Sequence, residues 1–286
     1  MKNHGSRSVY QKRLLTHRLG IALSILAMTV GIGFLLWILL TLVVKGAGAL
    51  NLAMFIESTP SPGGEGGGLL NAIFGSILMV LVSTAISTPV GILAGIYLAE
   101  YGEESRFAQM TRFVIDIMLS APSIVIGLFV YAIYVAHAKH FSGWAGSFAL
   151  ALIALPVVVR TTDNMLALVP IALREAAYAL GAPRWKVALT IRLRAVKAGV
   201  LTGVLLAVAR ISGETAPLLF TALNNQFFSA NMNQPMANLP VVIYQFAMSP
   251  YDNWRDLAWG GALLVTFGVL GLNILARTLF SQKPQG

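Results

Sequence analysis

The sequence predicts an all-α integral membrane protein with six transmembrane helices. Of its 286 residues, 57% are hydrophobic and only 11% are charged, whereas about 25% of the residues in a soluble domain are charged. The mean hydropathy is +0.75. Apolar runs that are long enough to cross a bilayer occur at 19–44, 69–99, 113–136, 144–166, 196–220 and 257–280.

Residues 1–18 form a basic segment ahead of the first apolar run. A secretory signal peptide begins in the same way, but its apolar core is only about 7–15 residues long, and the run at 19–44 is longer. We therefore predict a cytoplasmic basic tail at 1–18 and a retained first transmembrane helix at 19–44.

The distribution of basic residues predicts how the chain is oriented. With the N-terminus inside, the cytoplasmic segments hold 16 of the 20 Lys and Arg residues, and the outer segments hold Lys45, Lys139 and Arg255. Because Lys and Arg accumulate in cytoplasmic loops, both termini are predicted to be cytoplasmic. The same rule explains the net charge of +9 without a nucleic-acid partner.

The sequence contains no motif for catalysis or for metal binding. It has no cysteine, no Walker A sequence and no zincin or serine-hydrolase motif. His137 and His140 lie three residues apart, but no carboxylate or thiol lies near them in the sequence to complete a metal site. We predict a non-enzymatic chain that binds no metal and no cofactor of its own.

The run at 196–220 carries two charges within an apolar segment. Arg210 lies about 20 Å along the predicted helix, past the bilayer centre, where an arginine costs on the order of 2.5–3.5 kcal/mol. If the run is one helix, Arg210 and Glu214 share the face of Gly199 and Gly203, against which another helix can pack closely. The pair either holds helices together or presents the guanidinium to a passing oxyanion, and the rarity of charges in spans favours the second.

The outer segment at 221–253 contains a shorter apolar run at 239–248. Ten residues are too few to span a bilayer. This run is predicted to be a re-entrant or interfacial segment.

The longest cytoplasmic loop is predicted to form two short helices joined by a tight turn. Glu175 would start a strongly helical segment, at the positive end of its dipole. Gly181 can adopt the left-handed conformation that ends a helix, and Pro183 suits the first position of the next. Trp185 would be exposed on the resulting knob. From the pattern alone, an amphipathic loop resting on lipid headgroups is equally compatible with these residues.

The spacing of this loop resembles the EAA loop of ABC importer permeases. Glu175-Ala176-Ala177 is followed after three residues by Gly181, and Ile191-x-Leu193 follows nine residues later. Arg194 occupies the position of the family's consensus proline. The resemblance implies the type I (MetI-like) permease fold, with a transmembrane core at 69–280 and a coupling loop at 170–195. It also implies that the ATPase subunit docks on Glu175, Ala176, Ala177, Gly181, Ala182, Pro183 and Trp185.

Three further segments, at 98–102, 120–127 and 205–223, are similar to the phosphate-specific branch of that family. The branch's membrane-embedded Arg and Glu correspond to Arg210 and Glu214, which the resemblance places on the substrate path. It implies a permease subunit of an ATP-driven phosphate importer in the bacterial plasma membrane, surrounded by lipid. The implied partners are a second homologous permease, two ATP-binding subunits that hold ATP and Mg, and an extracytoplasmic phosphate-binding protein.

Two alternatives remain compatible with the sequence. An arginine alone does not distinguish a phosphate importer from one for molybdate, sulfate or phosphonate, and only the wider stretch at 210–223 favours phosphate. An ion-driven secondary carrier would need no ATPase-docking loop and usually contains repeated broken helices, a repeat that is not detectable here.

Overall fold

The computed structural model describes residues 4–64, 66–102 and 105–280. Every regular element in those ranges is helical, which confirms the predicted all-α class. The helices are α1 (His4–Ala49), α2 (Ala53–Ile56), α3 (Leu70–Tyr101), α4 (Arg106–Ser120), α5 (Ser123–Val130), α6 (Ala136–Ala138), α7 (Gly143–Ala167), α8 (Ile171–Ala179), α9 (Arg184–Lys186), α10 (Leu193–Ile211), α11 (Ala216–Leu219), α12 (Leu239–Ala247) and α13 (Asp252–Phe280). Two π-helical turns, Tyr131–Val135 and Val187–Arg192, join α5 to α6 and α9 to α10.

Four helical segments of the described ranges are long and apolar enough to cross a membrane. They are Tyr10–Ala49, Leu70–Tyr101, Gly143–Ala167 and Asp252–Leu275. The bent pair Arg106–Ser120 and Ser123–Ala138, with an angle of 106° between its halves, is a fifth candidate. Helix α10 is long enough but contains Arg194, Lys197 and Arg210, and it lies outside this set. The chain therefore has the apolar helices of a membrane protein, and six as the number of spans stays a prediction.

The continuous helix predicted over 113–136 is wrong, because the chain bends sharply within it. Helix α4 ends at Ser120 and α5 begins at Ser123. Pro122 has no amide hydrogen and disfavours the helical conformation in the residue before it. Ala121 is accordingly extended, with φ −67° and ψ 137°.

The single helix predicted over 196–220 is also wrong. Helix α10 ends at Ile211, a non-helical turn follows, and α11 is a separate piece of four residues. A continuous helix would bring the Pro217 ring against the carbonyl of Gly213, and Pro217 has no amide hydrogen to donate to it. The helical face assigned to Arg210 and Glu214 therefore does not extend to Glu214.

Helix α7 lies at the centre of the fold. In its most apolar stretch 67% of the residues are buried, compared with 6% in α1. Helix α3 approaches it so closely that a Cβ added at Gly95 would lie 2.6 Å from the Cβ of Thr162. At the contact between α7 and α10, a Cβ added at Gly203 of α10 would overlap the Thr161 side chain. Glycines thus set the distance between α7 and both neighbours.

The C-terminal end of α1 packs on α13. An added Cβ at Gly46 would lie 2.9 Å from the carbonyl oxygen of Trp259. The ammonium of Lys45 lies 5.1 Å from the centroid of the Trp259 ring, a distance that allows a cation–π contact. Most of α1 is exposed in the isolated chain, as expected for a helix that faces lipid.

Amide side chains order the Asn-rich segment at 221–253. The buried Asn71 of α3 donates to the Asn225 carbonyl over 2.8 Å. Asn238 accepts a hydrogen bond from the amide of Val241 over 3.0 Å and so caps α12. With nine residues, α12 confirms that the apolar run at 239–248 is too short to span.

We expect Gly95→Val to destabilise the fold, because the new side chain would meet the Thr162 Cβ and, at 2.9 Å, the carbonyl oxygen of Val159. Overpacking of this kind costs roughly 1–3 kcal/mol. The measurement is the midpoint of thermal unfolding of the purified protein in one detergent. Gly31→Val is the matched control, since nothing lies within 4 Å of a Cβ added there. Equal midpoints for the two variants would contradict the close packing of α3 on α7.

Candidate functional site

Arg210 and Glu214 lie on either side of the end of α10. Arg210 is in the last turn of the helix, and Glu214 is in the non-helical turn that follows. The Nε atom of Arg210 and the Oε1 atom of Glu214 are 4.0 Å apart, which is too long for a hydrogen bond. The Arg210 side chain is 42% exposed and that of Glu214 is 16% exposed. The two predicted residues therefore form a loose ion pair across a turn, and their role on a substrate path stays a prediction.

The turn that holds Glu214 is supported by the other broken segment. A Cβ added at Gly127 in α5 would lie 2.5 Å from the Cα of Pro217 in α11. Close backbone contact at this point places the piece that follows Glu214 against the piece that follows the Pro122 bend. The two helix breaks thus position each other.

A second half-exposed ion pair connects α4 and α7. Arg160 Nη1 and Asp116 Oδ1 are 3.8 Å apart, and their side chains are 40% and 52% exposed. Arg160 is adjacent to Thr161, which contacts α10 at Gly203. Arg210 is seven residues further along α10, about 10 Å at the helical rise. The sequence offered one signal for this pair, opposite charges in neighbouring apolar runs, but gave no reason to connect them.

The turn of the EAA-like loop is a Schellman motif. The amide of Gly181 donates to the Tyr178 carbonyl over 2.9 Å, and the amide of Ala182 donates to the Ala177 carbonyl over 3.2 Å. These are the two hydrogen bonds that define the motif, which requires a left-handed residue between them. Gly181 has φ +79°. The prediction that Gly181 ends the first helix is confirmed.

Two details of the predicted loop are wrong. Helix α8 begins at Ile171, directly after Pro170, so Glu175 lies in its second turn and not at the positive end of the dipole. Pro170 explains the earlier start, since its fixed φ suits a helix entry. Pro183 precedes α9 by one residue with ψ 151°, because the chain is still extended where it leaves the Gly181 turn.

Two large apolar side chains are exposed on the surface of this loop. Leu180 is 89% exposed and Trp185 is 61% exposed. They flank the Gly181 turn on both sides. Two exposed apolar side chains on a rigid turn are typical of a surface that a partner covers, although docking of an ATPase subunit on the loop stays a prediction.

A buried carboxylate fixes the loop to the rest of the chain. Glu100, the second-last residue of α3, accepts a hydrogen bond from the Tyr178 hydroxyl over 2.6 Å and another from Arg192. Burial raises the pKa of the Tyr178 hydroxyl, and the hydrogen bond to Glu100 raises this pKa further. No sequence pattern indicates that Glu100 pairs with Arg192, because their pairing depends on long-range packing of α3 against the loop.

A bidentate ion pair closes the same end of the molecule. Arg112 of α4 donates to both oxygens of Asp163 in α7, over 2.9 Å and 3.1 Å. It also donates to the Leu98 carbonyl of α3 over 2.8 Å. One guanidinium therefore connects three helices, and the geometry is that of a structural clamp.

Within the described ranges, no group of three or more His, Cys, Asp or Glu side chains is arranged to hold a metal ion. The expectation that this chain binds no cofactor of its own stays a prediction.

Comparison with known proteins identifies similar membrane transport components. The family described as "Binding-protein-dependent transport system inner membrane component" matches residues 91–281. A relative, "Phosphate transport system permease protein PstA" of Pasteurella multocida (strain Pm70), is 63% identical over 280 residues, which are 98% of this chain and 100% of the relative.

Solved ABC transporters have the same fold. A chain of the inward-facing MetNI methionine ABC transporter is similar with a TM-score of 0.61 and 18% identity, over 74% of this chain and 94% of that one. A chain of a bacterial alginate ABC transporter, crystallised with an alginate pentasaccharide-bound periplasmic protein, has a TM-score of 0.64 and 12% identity over 96% of both. The predicted importer-permease fold is therefore confirmed. The chain belongs to the family of inner membrane components of binding-protein-dependent transport systems.

Proposed function

We propose that this chain is the transmembrane permease subunit of an ATP-driven phosphate importer. The observation that carries the proposal is the loosely paired Arg210, half-exposed at a helix break in a chain that is 63% identical to a phosphate transport permease. An arginine is the side chain best suited to hold a phosphate oxyanion, because its planar fork donates two parallel hydrogen bonds.

The proposed role of Arg210 depends on how weakly Glu214 holds it. At 4.0 Å the carboxylate offsets part of the positive charge without occupying the guanidinium in a close hydrogen bond. Phosphate entering the site would bind to the exposed part of the fork. Because Glu214 repels the same anion, the phosphate would leave again, which a transport site requires.

A second, homologous permease completes the path in this proposal. The Arg210 and Arg160 side chains are half-exposed in the isolated chain, and a half-exposed charge at membrane depth needs protein or a water-filled cavity beside it. A second copy of the fold would supply the opposite wall. Arg160, about 10 Å away along the helix direction, would face the same path nearer the cytoplasm.

The EAA-like loop is the proposed contact with the ATPase. Leu180 and Trp185 would enter a groove of one of the two ATP-binding subunits, which hold ATP and Mg. An extracytoplasmic phosphate-binding protein would deliver the substrate from the outer side. The chain itself would be non-catalytic, lie in the bacterial plasma membrane, have both termini in the cytoplasm and convert ATPase movement into alternating access.

Replacing Arg210 tests the anion path. We expect Arg210→Gln to lower uptake of labelled phosphate about tenfold or more, since a hydrogen bond to a charged group is worth about 1.5–3 kcal/mol. The assay uses cells in which insertion and assembly of the variant are verified. Arg255→Gln is the matched control, because Arg255 also pairs with a carboxylate, but at an exposed position near the start of α13.

Either of two results would contradict this proposal. Unchanged phosphate uptake by Arg210→Gln would remove Arg210 from the path and leave its ion pair a structural one. Competition of uptake by unlabelled sulfate or molybdate as effectively as by phosphate would favour an importer for another oxyanion.

Replacing Leu180 tests the contact with the ATPase. We expect Leu180→Asp to reduce co-purification of the ATP-binding subunit at least tenfold, because a desolvated carboxylate would oppose docking at the contact. Met248→Asp is the control, since Met248 is 74% exposed but follows α12 on the predicted outer side. Equal recovery of the ATPase with both variants would show that the loop is not the docking surface.

A further inference from the structure

Glu100 is buried at a point where a carboxylate could have been solvated. It lies one residue before the end of α3, and its side chain is 2% exposed. A buried carboxylate is unfavourable unless hydrogen-bond donors and an opposite charge compensate it. The burial of Glu100 therefore indicates a role other than stabilising α3.

The two oxygens of Glu100 bind opposite arms of the coupling loop. Oε1 accepts from the Tyr178 hydroxyl over 2.6 Å, and Tyr178 lies in α8, before the Gly181 turn. Oε2 accepts from Nη1 of Arg192, which lies after the turn, at the end of the π-helical segment. A single carboxylate thus closes the base of the loop.

Arg192 extends this connection to α7. Its Nη2 atom donates to the Leu166 carbonyl over 2.9 Å, and its side chain is 7% exposed. Leu166 belongs to an apolar cluster with Ile96 and Ala188, which lie in α3 and in the π-helical segment. The joint is therefore enclosed by the elements that it connects.

The joint rests on a rigid support. Helices α3 and α7 are in close contact at Gly91 and Gly95, so they cannot slide past one another without a clash. Apolar contacts alone would let the loop rotate relative to α3 and α7. A carboxylate held by two donors of fixed direction resists rotation, and detaching it would leave a buried charge without a partner.

We propose that Glu100 is a positioning residue that locks the coupling loop to α3 and α7, so that loop and helices move as one body when the ATPase moves the loop. This inference rests on the proposed function, since it assigns a role within the transport cycle. Without the lock, the loop would still follow the ATPase, but the helices beside the anion path would lag behind it.

The test separates transport from assembly. A single change such as Glu100→Gln leaves Arg192 buried without its carboxylate and can prevent folding, so the variant is the double change Glu100→Leu with Arg192→Met. Removing both charges of a buried pair is often neutral for stability. Asp252→Asn is the control, because it removes a carboxylate from an exposed ion pair with Arg255.

The first readout is the number of phosphate ions moved per ATP hydrolysed by the complete complex in proteoliposomes. We expect the double variant to assemble and hydrolyse ATP but to move about tenfold fewer phosphate ions per ATP, the change expected from loss of a charged hydrogen bond. Tyr178→Phe, which keeps the Arg192 contact, should reduce the ratio less. An unchanged ratio in the double variant would overturn the inference.

A second readout does not depend on the substrate. Because the chain contains no cysteine, spin labels can be placed at Ile171→Cys in α8 and Leu93→Cys in α3, two exposed positions. We expect their distance to stay constant on ATP addition with Glu100 present and to change in the double variant. The same constancy in both proteins would overturn the inference. A wild-type complex that moves no phosphate but passes the distance test would overturn only the phosphate proposal.

Discussion

The fold depends on how closely α3 and α10 approach α7. Within a membrane, lipid tails are as apolar as the side chains they surround, so helices associate through tight packing of small residues. Gly95 allows α3 to contact Thr162, and Gly203 allows α10 to contact Thr161. Through these neighbouring threonines, α7 contacts both helices. Among the described residues, the ion pairs of Asp163, Arg160, Glu100 and Arg210 each have a member on one of these three helices.

In the two broken segments, proline interrupts a helix within a run that stays apolar. Pro122 bends the segment after α4, and Pro217 prevents α10 from continuing. Each break frees backbone carbonyls and amides that an apolar environment cannot satisfy. The segments that follow the two breaks contact each other at Gly127 and Pro217, so protein covers one side of each segment. Arg210 lies beside the second break, and its half-exposed side chain likewise requires protein or a water-filled cavity next to it.

Sequence reasoning predicted the features that composition and local chemistry determine. The apolar runs are helical, Gly181 is left-handed, and the run at 239–248 forms a helix that is too short to span. It failed where proline competes with hydropathy, because an apolar run carries no signal of a break unless the prolines within it are weighed. It also missed the Glu100–Arg192 pair. Opposite charges can be recognised in a sequence, but which two become neighbours is decided by the packing of α3 on α7.

The chain uses arginine–carboxylate pairs in two contrasting geometries. Arg112 donates to both oxygens of Asp163 and to a backbone carbonyl as well, so most of its five N–H donors are engaged and the pair is suited to hold helices. Arg210 contacts one oxygen of Glu214 at 4.0 Å and is 42% exposed. A guanidinium that is already saturated has little to offer an incoming anion, whereas one that is only loosely paired keeps its fork accessible. The hydrogen bonds around these two arginines therefore separate the one that holds helices together from the one that is proposed to bind the substrate.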